Sequence, residues 1–188
     1  MISVTSIKGV VTLTPRLFSD SRGSFQETYN RDTLAGLGIN TVFVQDNQSW
    51  SREAGTVRGL HFQAPPHAQA KLVRVLMGEI FDVAVDIRAG SPTYGQWTGV
   101  TLSVENNAQL LIPAGFLHGF VTRTPNCLVA YKCSDTYAPD CEGSVRFNDQ
   151  DLGIDWGLPV DQAVLSDKDA AAGSFADLDT PFTYEAHA

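Results

Sequence analysis

The chain has 188 residues and a mass of 20.4 kDa, enough for one domain with a substantial core. Thirteen Lys or Arg against 21 Asp or Glu give a formal charge of −8. That balance, with no Lys/Arg cluster, argues against broad nucleic-acid binding, which needs a basic field. It still permits an anionic small-molecule ligand, because local cationic side chains can outweigh the net field. A composition of 43% hydrophobic and 18% charged residues suits a folded protein. The four histidines, His61, His67, His118 and His187, lack a metal-ligand spacing. Cys127, Cys133 and Cys141 form no regular framework and read as reduced thiols. No apolar run reaches membrane-spanning length, and the start lacks a basic-then-apolar signal segment. A cytoplasmic protein with no membrane partner is the expectation.

The first 110 residues are rich in β signals. Thr5 to Leu17 mixes Val, Ile, Thr and Leu, and Asp20-Ser-Arg-Gly23 is a turn leading to a strand over Ser24 to Tyr29. Asn30 to Leu37 reads as a helix, with Asn30 as its cap and Gly38 as its stop. Thr41 to Gln45 has strand character, Ser49 to Gly55 reads as a loop, and Thr56 to Gln63 is a strand interrupted by Gly59. Ala64-Pro-Pro66 forces a break.

Ala70 to Met77 and Glu79 to Ile87 look like a β-hairpin about Gly78. In the second member, Ile80, Asp82, Ala84 and Asp86 share one face, with Phe81, Val83, Val85 and Ile87 on the other. Ser91 to Gly95 is a turn. Gln96 to Val104, Gln109 to Ile112, Leu117 to Thr122 and Cys127 to Ser134 supply further strands, with a turn at Pro113-Ala-Gly115. From Tyr137 the chain is turn-rich, apart from a short helix over Asp167 to Ala172 capped by Ser166. Tyr184 to Ala188 are expected to fray. Many short strands and no composition shift predict a single all-β domain, a sandwich or barrel, over residues 1–188.

Several reactive groups sit inside these apolar patterns. Arg58-Gly-Leu-His-Phe-Gln63 places Arg and His together; a regular strand would put Arg58 and His61 on opposite faces, but a bulge at Gly59 would bring them to one. Lys71 opens a strand, His118 lies between aromatics, Tyr131-Lys132 end another strand, Glu142 follows the next turn, and Lys168-Asp169 lie in the tail. Each has a plain structural reading beside the functional one. His118 could be a buried hydrogen-bonded residue, Lys71 and Lys132 could extend from strand ends, and Tyr131 could be a core aromatic. Arg22 and Glu27 could form an edge salt bridge, and the spacing of Asp82 and Asp86 alone makes no acid–base pair. The chain has no G-x-G-x-x-G, no phosphate-binding G-x-x-x-x-G-K-S/T, no G-x-S-x-G elbow and no C-x-x-C. Cofactor-free acid–base chemistry and simple ligand binding survive that elimination better than hydride or phosphoryl transfer.

A set of ordered motifs narrows this further. Asp20-Ser-Arg-Gly-Ser-Phe-Gln-Glu27, Gln45-Asp-Asn-Gln-Ser49, Val57-Arg-Gly-Leu-His-Phe-Gln63, Lys71-Leu-Val-Arg-Val75, Gly78 to Arg88 and Ser91 to Trp97 come first. Ile112-Pro-Ala-Gly-Phe-Leu-His-Gly-Phe120, Tyr131-Lys-Cys133, Tyr137 with Glu142, and Leu165-Ser-Asp-Lys-Asp169 follow. Over nearly its whole length the chain resembles the dTDP-4-dehydrorhamnose 3,5-epimerase family. The resemblance implies a cupin-like double-stranded β-helix, or jelly roll, with short peripheral helices. It implies a reaction that inverts carbons 3 and 5 of a dTDP-linked 4-keto-6-deoxyhexose, without metal or cofactor.

By the same resemblance His61 is the base, Asp169 its carboxylate partner, Tyr131 the proton donor on the opposite face, and Lys71 the stabiliser of the enolate. His118, Arg22, Glu27, Gln45, Asn47, Arg58, Glu142 and Lys168 match substrate-binding positions, Arg58 being the natural phosphate contact. The family is typically homodimeric, with N-terminal strand exchange. A related epimerase acting at one carbon only, and a noncatalytic sugar-binding cupin, are the alternatives.

Overall fold

The computed structural model describes residues 2–185. In chain order its elements are β1 (Ile2–Val4), β2 (Val11–Leu13), β3 (Leu17–Asp20), β4 (Gly23–Gln26), α1 (Arg31–Gly36), β5 (Gln45–Ser51) and β6 (Val57–Gln63). Then come β7 (Lys71–Met77), β8 (Glu79–Asp86), β9 (Trp97–Ser103), β10 (Gln109–Ile112), β11 (Phe116–Thr122), β12 (Cys127–Cys133), β13 (Glu142–Ser144) and α2 (Asp167–Ala170). Two antiparallel sheets face each other, a six-stranded one ordered β1-β2-β10-β7-β12-β5 and a five-stranded one ordered β13-β6-β11-β8-β9. This is the jelly-roll arrangement; β3 and β4 form a separate two-stranded ribbon.

The core between the sheets is built from one face of each. Val73, Val75, Leu110, Ile112 and Val129 pack against Ile80, Ala84, Leu102, Phe116 and Phe120. The other face of the five-stranded sheet is buried too. Val83, Val85, Ile87, Leu117 and Val121 lie under Phe147, Leu152 and Trp156 of the irregular C-terminal stretch, with Phe182 packed alongside. Coverage on both faces explains why all seven residues of β11 are buried, and why Phe-Leu-His-Gly-Phe-Val-Thr has no polar outer face.

Three expectations change. The segments around Gly78 are not a hairpin: β7 pairs with β10 and β12, whereas β8 pairs with β11 and β9. The chain crosses from one sheet to the other at Gly78, which has φ +81° and no room for a Cβ, since one would sit 2.5 Å from Thr124 Oγ1. Alternation alone cannot distinguish a hairpin from a crossover. Next, β5 runs through Gln45–Ser51, so only Gln45 of the expected Thr41–Gln45 strand is in it, and Ser49–Ser51 are strand rather than loop. Its inward positions are polar, so it carries no hydrophobic alternation to read. Lastly, Tyr184 is tied down, its N–H donating to Ala89 carbonyl at 2.9 Å and its ring under Arg88. Residues 186–188, where fraying was also expected and where His187 falls, lie outside the described residues.

The two helices form where expected. Asn30 Oδ1 accepts from the N–H groups of Asp32 and Thr33, and Ser166 accepts from Asp169 N–H. The second cap matters for the site, because it fixes the residue that faces His61.

Candidate active site

At the centre of the five-stranded sheet, β6 and β11 approach closely. Gly59 has φ +127°, and a Cβ there would lie 2.5 Å from Gly119 Cα. The register pairs His61 with His118 but Arg58 with Phe120, so β6 spends three residues where β11 spends two. This bulge brings Arg58 and His61 to one face, where both line an inter-sheet cavity of about 210 Å³ with Lys71, His118, Tyr131, Lys168 and Asp169. A smaller adjoining lobe of about 100 Å³ shares His61, Lys71 and Tyr131 and adds Gln45, Asn47, Tyr137 and Glu142.

Two His–carboxylate pairs stand side by side in this cavity. His61 Nε2 lies 2.6 Å from Asp169 Oδ1, and His118 Nε2 lies 2.6 Å from Asp82 Oδ1. In each, the carboxylate fixes the tautomer by accepting a hydrogen bond from Nε2–H, which leaves Nδ1 as the nitrogen with a lone pair. Asp169 is 5% exposed. Burial pushes its pKa up, but bonds from His61, the Ser166 hydroxyl and Gly59 N–H more than offset that and hold it below the ordinary range. His118 is buried, and desolvation lowers its pKa in spite of Asp82. Asp82 is fully buried, and its second oxygen, Oδ2, has no hydrogen-bond partner.

The facing sheet supplies the other chemical groups. Lys71, on β7, is lowered in pKa by desolvation, against the pull of Cys133, Asp82 and Glu142. Tyr131, on β12, is raised chiefly by burial, while the nearby Asn47 side chain pulls it down. Glu142 accepts from the Tyr137 hydroxyl at 2.9 Å and takes Lys168 Nζ at 2.6 Å, which raises the Lys168 pKa. Arg58 stands at the rim, its Nε on Ser51 Oγ at 3.2 Å and its Nη2 on Trp50 carbonyl at 3.0 Å. The remaining guanidinium donors are free to meet an anion.

Ten of the twelve residues singled out from the sequence therefore share one cavity: His61, Asp169, Tyr131, Lys71, Gln45, Asn47, Arg58, His118, Glu142 and Lys168. Arg22 and Glu27 do not line it. Arg22 is held by Asp20 at 2.6 Å in the exposed β3–β4 turn, and Glu27 accepts from Asn30 and Thr33, so they do not pair with each other either. Lys132 points out of the other face of its sheet, onto Asp46 at 2.8 Å. A larger cavity of about 460 Å³ opens on that outer face but contains neither dyad.

Asp82, which the sequence analysis left without a site role, is the partner of His118. A carboxylate on the Ile80–Ala84 face of a buried strand needs a partner, and that need was the signal pointing to His118. Among the described residues, no group of three or more His, Cys, Asp or Glu is arranged to hold a metal ion.

A jelly roll with a carboxylate-paired histidine on one sheet, and a lysine and a tyrosine of the other sheet lining the same cavity, has the groups for proton transfer on a bound ligand. The comparisons specify the family. The model of the dTDP-4-dehydrorhamnose 3,5-epimerase family matches residues 4–177. The Salmonella typhimurium dTDP-4-dehydrorhamnose 3,5-epimerase is 52% identical over 170 residues, covering 89% of this chain and 91% of that protein. The crystal structure of the Legionella pneumophila dTDP-6-deoxy-D-glucose-3,5-epimerase in complex with dTDP-4-keto-L-rhamnose superposes with a TM-score of 0.94 at 46% identity, covering 99% of each chain. ChmJ, a 3'-monoepimerase from Streptomyces bikiniensis solved with dTDP-quinovose, superposes with a TM-score of 0.84 at 36% identity, covering 92% of this chain and 86% of that one. The chain belongs to the dTDP-4-dehydrorhamnose 3,5-epimerase family.

Proposed function

We propose that the chain inverts carbons 3 and 5 of dTDP-4-dehydro-6-deoxy-D-glucose to give dTDP-4-dehydro-β-L-rhamnose. One observation carries this reading: His61 and Tyr131 come from opposite sheets and line the same cavity, with Lys71 beside them in both lobes' linings. Inversion needs that geometry, a base on one face of the sugar and a proton donor on the other.

Both target carbons flank the ketone, so loss of either proton gives an enolate with its charge on the ketone oxygen. His61 Nδ1 takes the proton, and the Asp169 carboxylate stabilises the imidazolium that forms. The Lys71 ammonium, poorly solvated and close to the reacting centre, meets the enolate oxygen where its charge is worth most. Tyr131 returns a proton from the opposite face. His118, its Nε2–H donating to Asp82, presents Nδ1 as an acceptor for a sugar hydroxyl. Arg58 and Lys168 supply the diphosphate contacts, and Gln45, Asn47 and Glu142 form the nucleotide side. No step calls for an electron carrier or a metal.

Arg22 and Glu27 serve a neighbouring copy's site in a homodimer. The ribbon that carries Arg22 exposes Leu17, Phe18 and Phe25, the last at 71%, which is an apolar surface suited to burial against a partner. Residues 1–188 act as one domain. Three free thiols suit a reducing compartment, hence the cytoplasm, and no helix among the described residues is long and apolar enough to cross a membrane.

Supplying the substrate in deuterated water tests the assignment by NMR. Deuterium with inversion at both carbons is expected. Inversion at only one would favour a monoepimerase, the activity named for the structurally similar ChmJ. Tight binding without exchange would overturn catalysis altogether.

A further inference from the structure

Gln63 ends β6 two residues after His61, on the same face, and is the register partner of Glu142 on β13. It is 5% exposed, so its amide must find partners within the protein. Those partners are main-chain atoms of two loops. Gln63 Nε2 donates to the His67 carbonyl and to the Thr136 carbonyl, the latter at 2.9 Å, and Gln63 Oε1 accepts from Ala138 N–H at 2.9 Å. Thr136 and Ala138 flank Tyr137. The Tyr137 N–H donates to Gln45 Oε1 at 2.9 Å, and its hydroxyl donates to Glu142 Oε2 at 2.9 Å. Residues 135–138 belong to no helix or strand, so side chains do here what a ladder does elsewhere. The two loops are stitched further along: Gln69 Nε2 donates to the Asp135 carbonyl at 2.8 Å, and His67 Nδ1 lies 3.3 Å from Asp135 Oδ2.

We propose that Gln63 is a positioning residue for the nucleotide: by gripping the main chain on both sides of Tyr137, it stands that ring against Glu142 as a wall of the smaller lobe. This rests on the reading that puts the nucleotide in that lobe, beside Gln45, Asn47 and Glu142. The task calls for an amide, because two N–H donors and a carbonyl acceptor act together on three main-chain groups. A carboxylate in the same place would set its oxygens against two carbonyl oxygens. Tyr137 itself is 58% exposed, so little packing would replace the grip. Without Gln63 the loop would be ordered only when the nucleotide arrives, and the cost of ordering would come out of the binding free energy. The proton-transfer groups would be spared, since the Gln63 amide bonds neither His61 nor Tyr131.

The test places Gln63→Met, close in length but without the donors or the acceptor, in the full chain and in the full chain carrying Tyr137→Ala. Affinity for dTDP is read by calorimetric titration, and kcat and KM by steady-state kinetics on the dTDP-linked 4-keto sugar. Gln63→Met should weaken dTDP binding and raise KM about three- to tenfold, the factor for ordering one side chain on binding, with kcat within about twofold. With Tyr137→Ala already present, the same substitution should change dTDP affinity by less than about 1.5-fold, because the ring that Gln63 positions is gone. A purely structural role would cost the same with and without Tyr137. That result, a fall in kcat at unchanged KM, or no change in dTDP affinity overturns the inference. Gln63→Asn, which keeps the amide but is one methylene too short to reach both loops, gives the same comparison if thermal melting shows that the methionine variant does not fold. If the unsubstituted chain does not bind dTDP, the underlying functional reading fails instead.

Discussion

Replacing Asp169 with Asn should remove most of the activity while leaving the nucleotide site intact. The carboxylate is 5% exposed and lies 2.6 Å from His61 Nε2, so there is almost no water to take over its charge. Asparagine fits the same space but changes the chemistry in two ways. It is neutral, so the imidazolium formed when His61 takes a proton loses its counter-charge. Its amide can also donate to Nε2, which moves the ring proton to Nδ1 and removes the lone pair that serves as base. General-base catalysis is worth about 10²–10⁴-fold, and a wrong tautomer alone has cost about 10⁴-fold in a comparable His–carboxylate pair. We therefore expect kcat to fall by about 10³-fold, roughly 4 kcal/mol of barrier, with dTDP affinity changed less than about threefold because Arg58 and Glu142 are untouched. The assay is initial-rate deuterium exchange by NMR beside calorimetric titration with dTDP. Exchange within about tenfold of the unsubstituted rate would show that His61 works without its partner and would refute the dyad argument.

Other perturbations separate the remaining parts. Lys71→Gln removes the only cation assigned to the enolate oxygen and should lower kcat about 10²–10³-fold, with little change in KM, measured by steady-state kinetics; a KM effect alone would make Lys71 a binding residue. Mixing His61→Ala chains with Arg22→Ala/Glu27→Ala chains, each inactive alone, should restore about a quarter of native activity through heterodimers with one intact site, and no recovery would sink the shared-site reading. Asp86 offers a stability test away from the chemistry. Burial opposes its ionisation, but Arg88, Ser91, Thr93 and Arg88 N–H together hold its pKa down at about 2. A folded value below the unfolded value of about 3.9 means that the stabilisation, about 2 kcal/mol, is complete above that pH and is lost as pH falls toward 2. Asp86→Asn should thus cost about 2 kcal/mol at pH 7 and much less near pH 2.5 by urea denaturation; an equal cost at both would place the effect in packing.

The sequence exposed this site unevenly, and the reasons are physical. His61, Lys71, Tyr131 and His118 are polar residues on the inward face of otherwise apolar strands, where desolvation makes them costly unless used. That pattern set them apart, and the resemblance of the ordered motifs to a known family supplied their expected roles. The Asp82–His118 pair was half visible: the alternation of β8 put Asp82 on the right face, but pairing depends on the register of β8 with β11, which places Asp82 opposite Phe120 and beside His118. Local pattern carries no information about register between strands 36 residues apart. The crossover at Gly78 failed for the same reason. Strand β5 was lost in a different way: a strand whose inner face is polar and lines a cavity has no apolar side, so Gln45–Ser51 gave no period to detect.

The jelly roll turns that difficulty to chemical use. A sandwich core normally brings two apolar faces together about 10 Å apart. Here one end of the interface between β6–β11 and β7–β12 is polar instead, and the separation of the sheets sets the distance between His61 and Tyr131. His61 and His118 stand on one sheet, and Lys71 and Tyr131 on the other. A pyranose ring entering between them would turn one face toward each set. In the proposed mechanism, opposite-face proton transfer follows from which sheet carries which group, and the hydrogen bond between Asp169 and His61 only tunes a group that the topology has already placed. The −8 charge of the chain is no obstacle to an anionic substrate, because Arg58 and Lys71 are gathered at this one cavity while Asp169 and Glu142, which share it, are paired with His61 and Lys168.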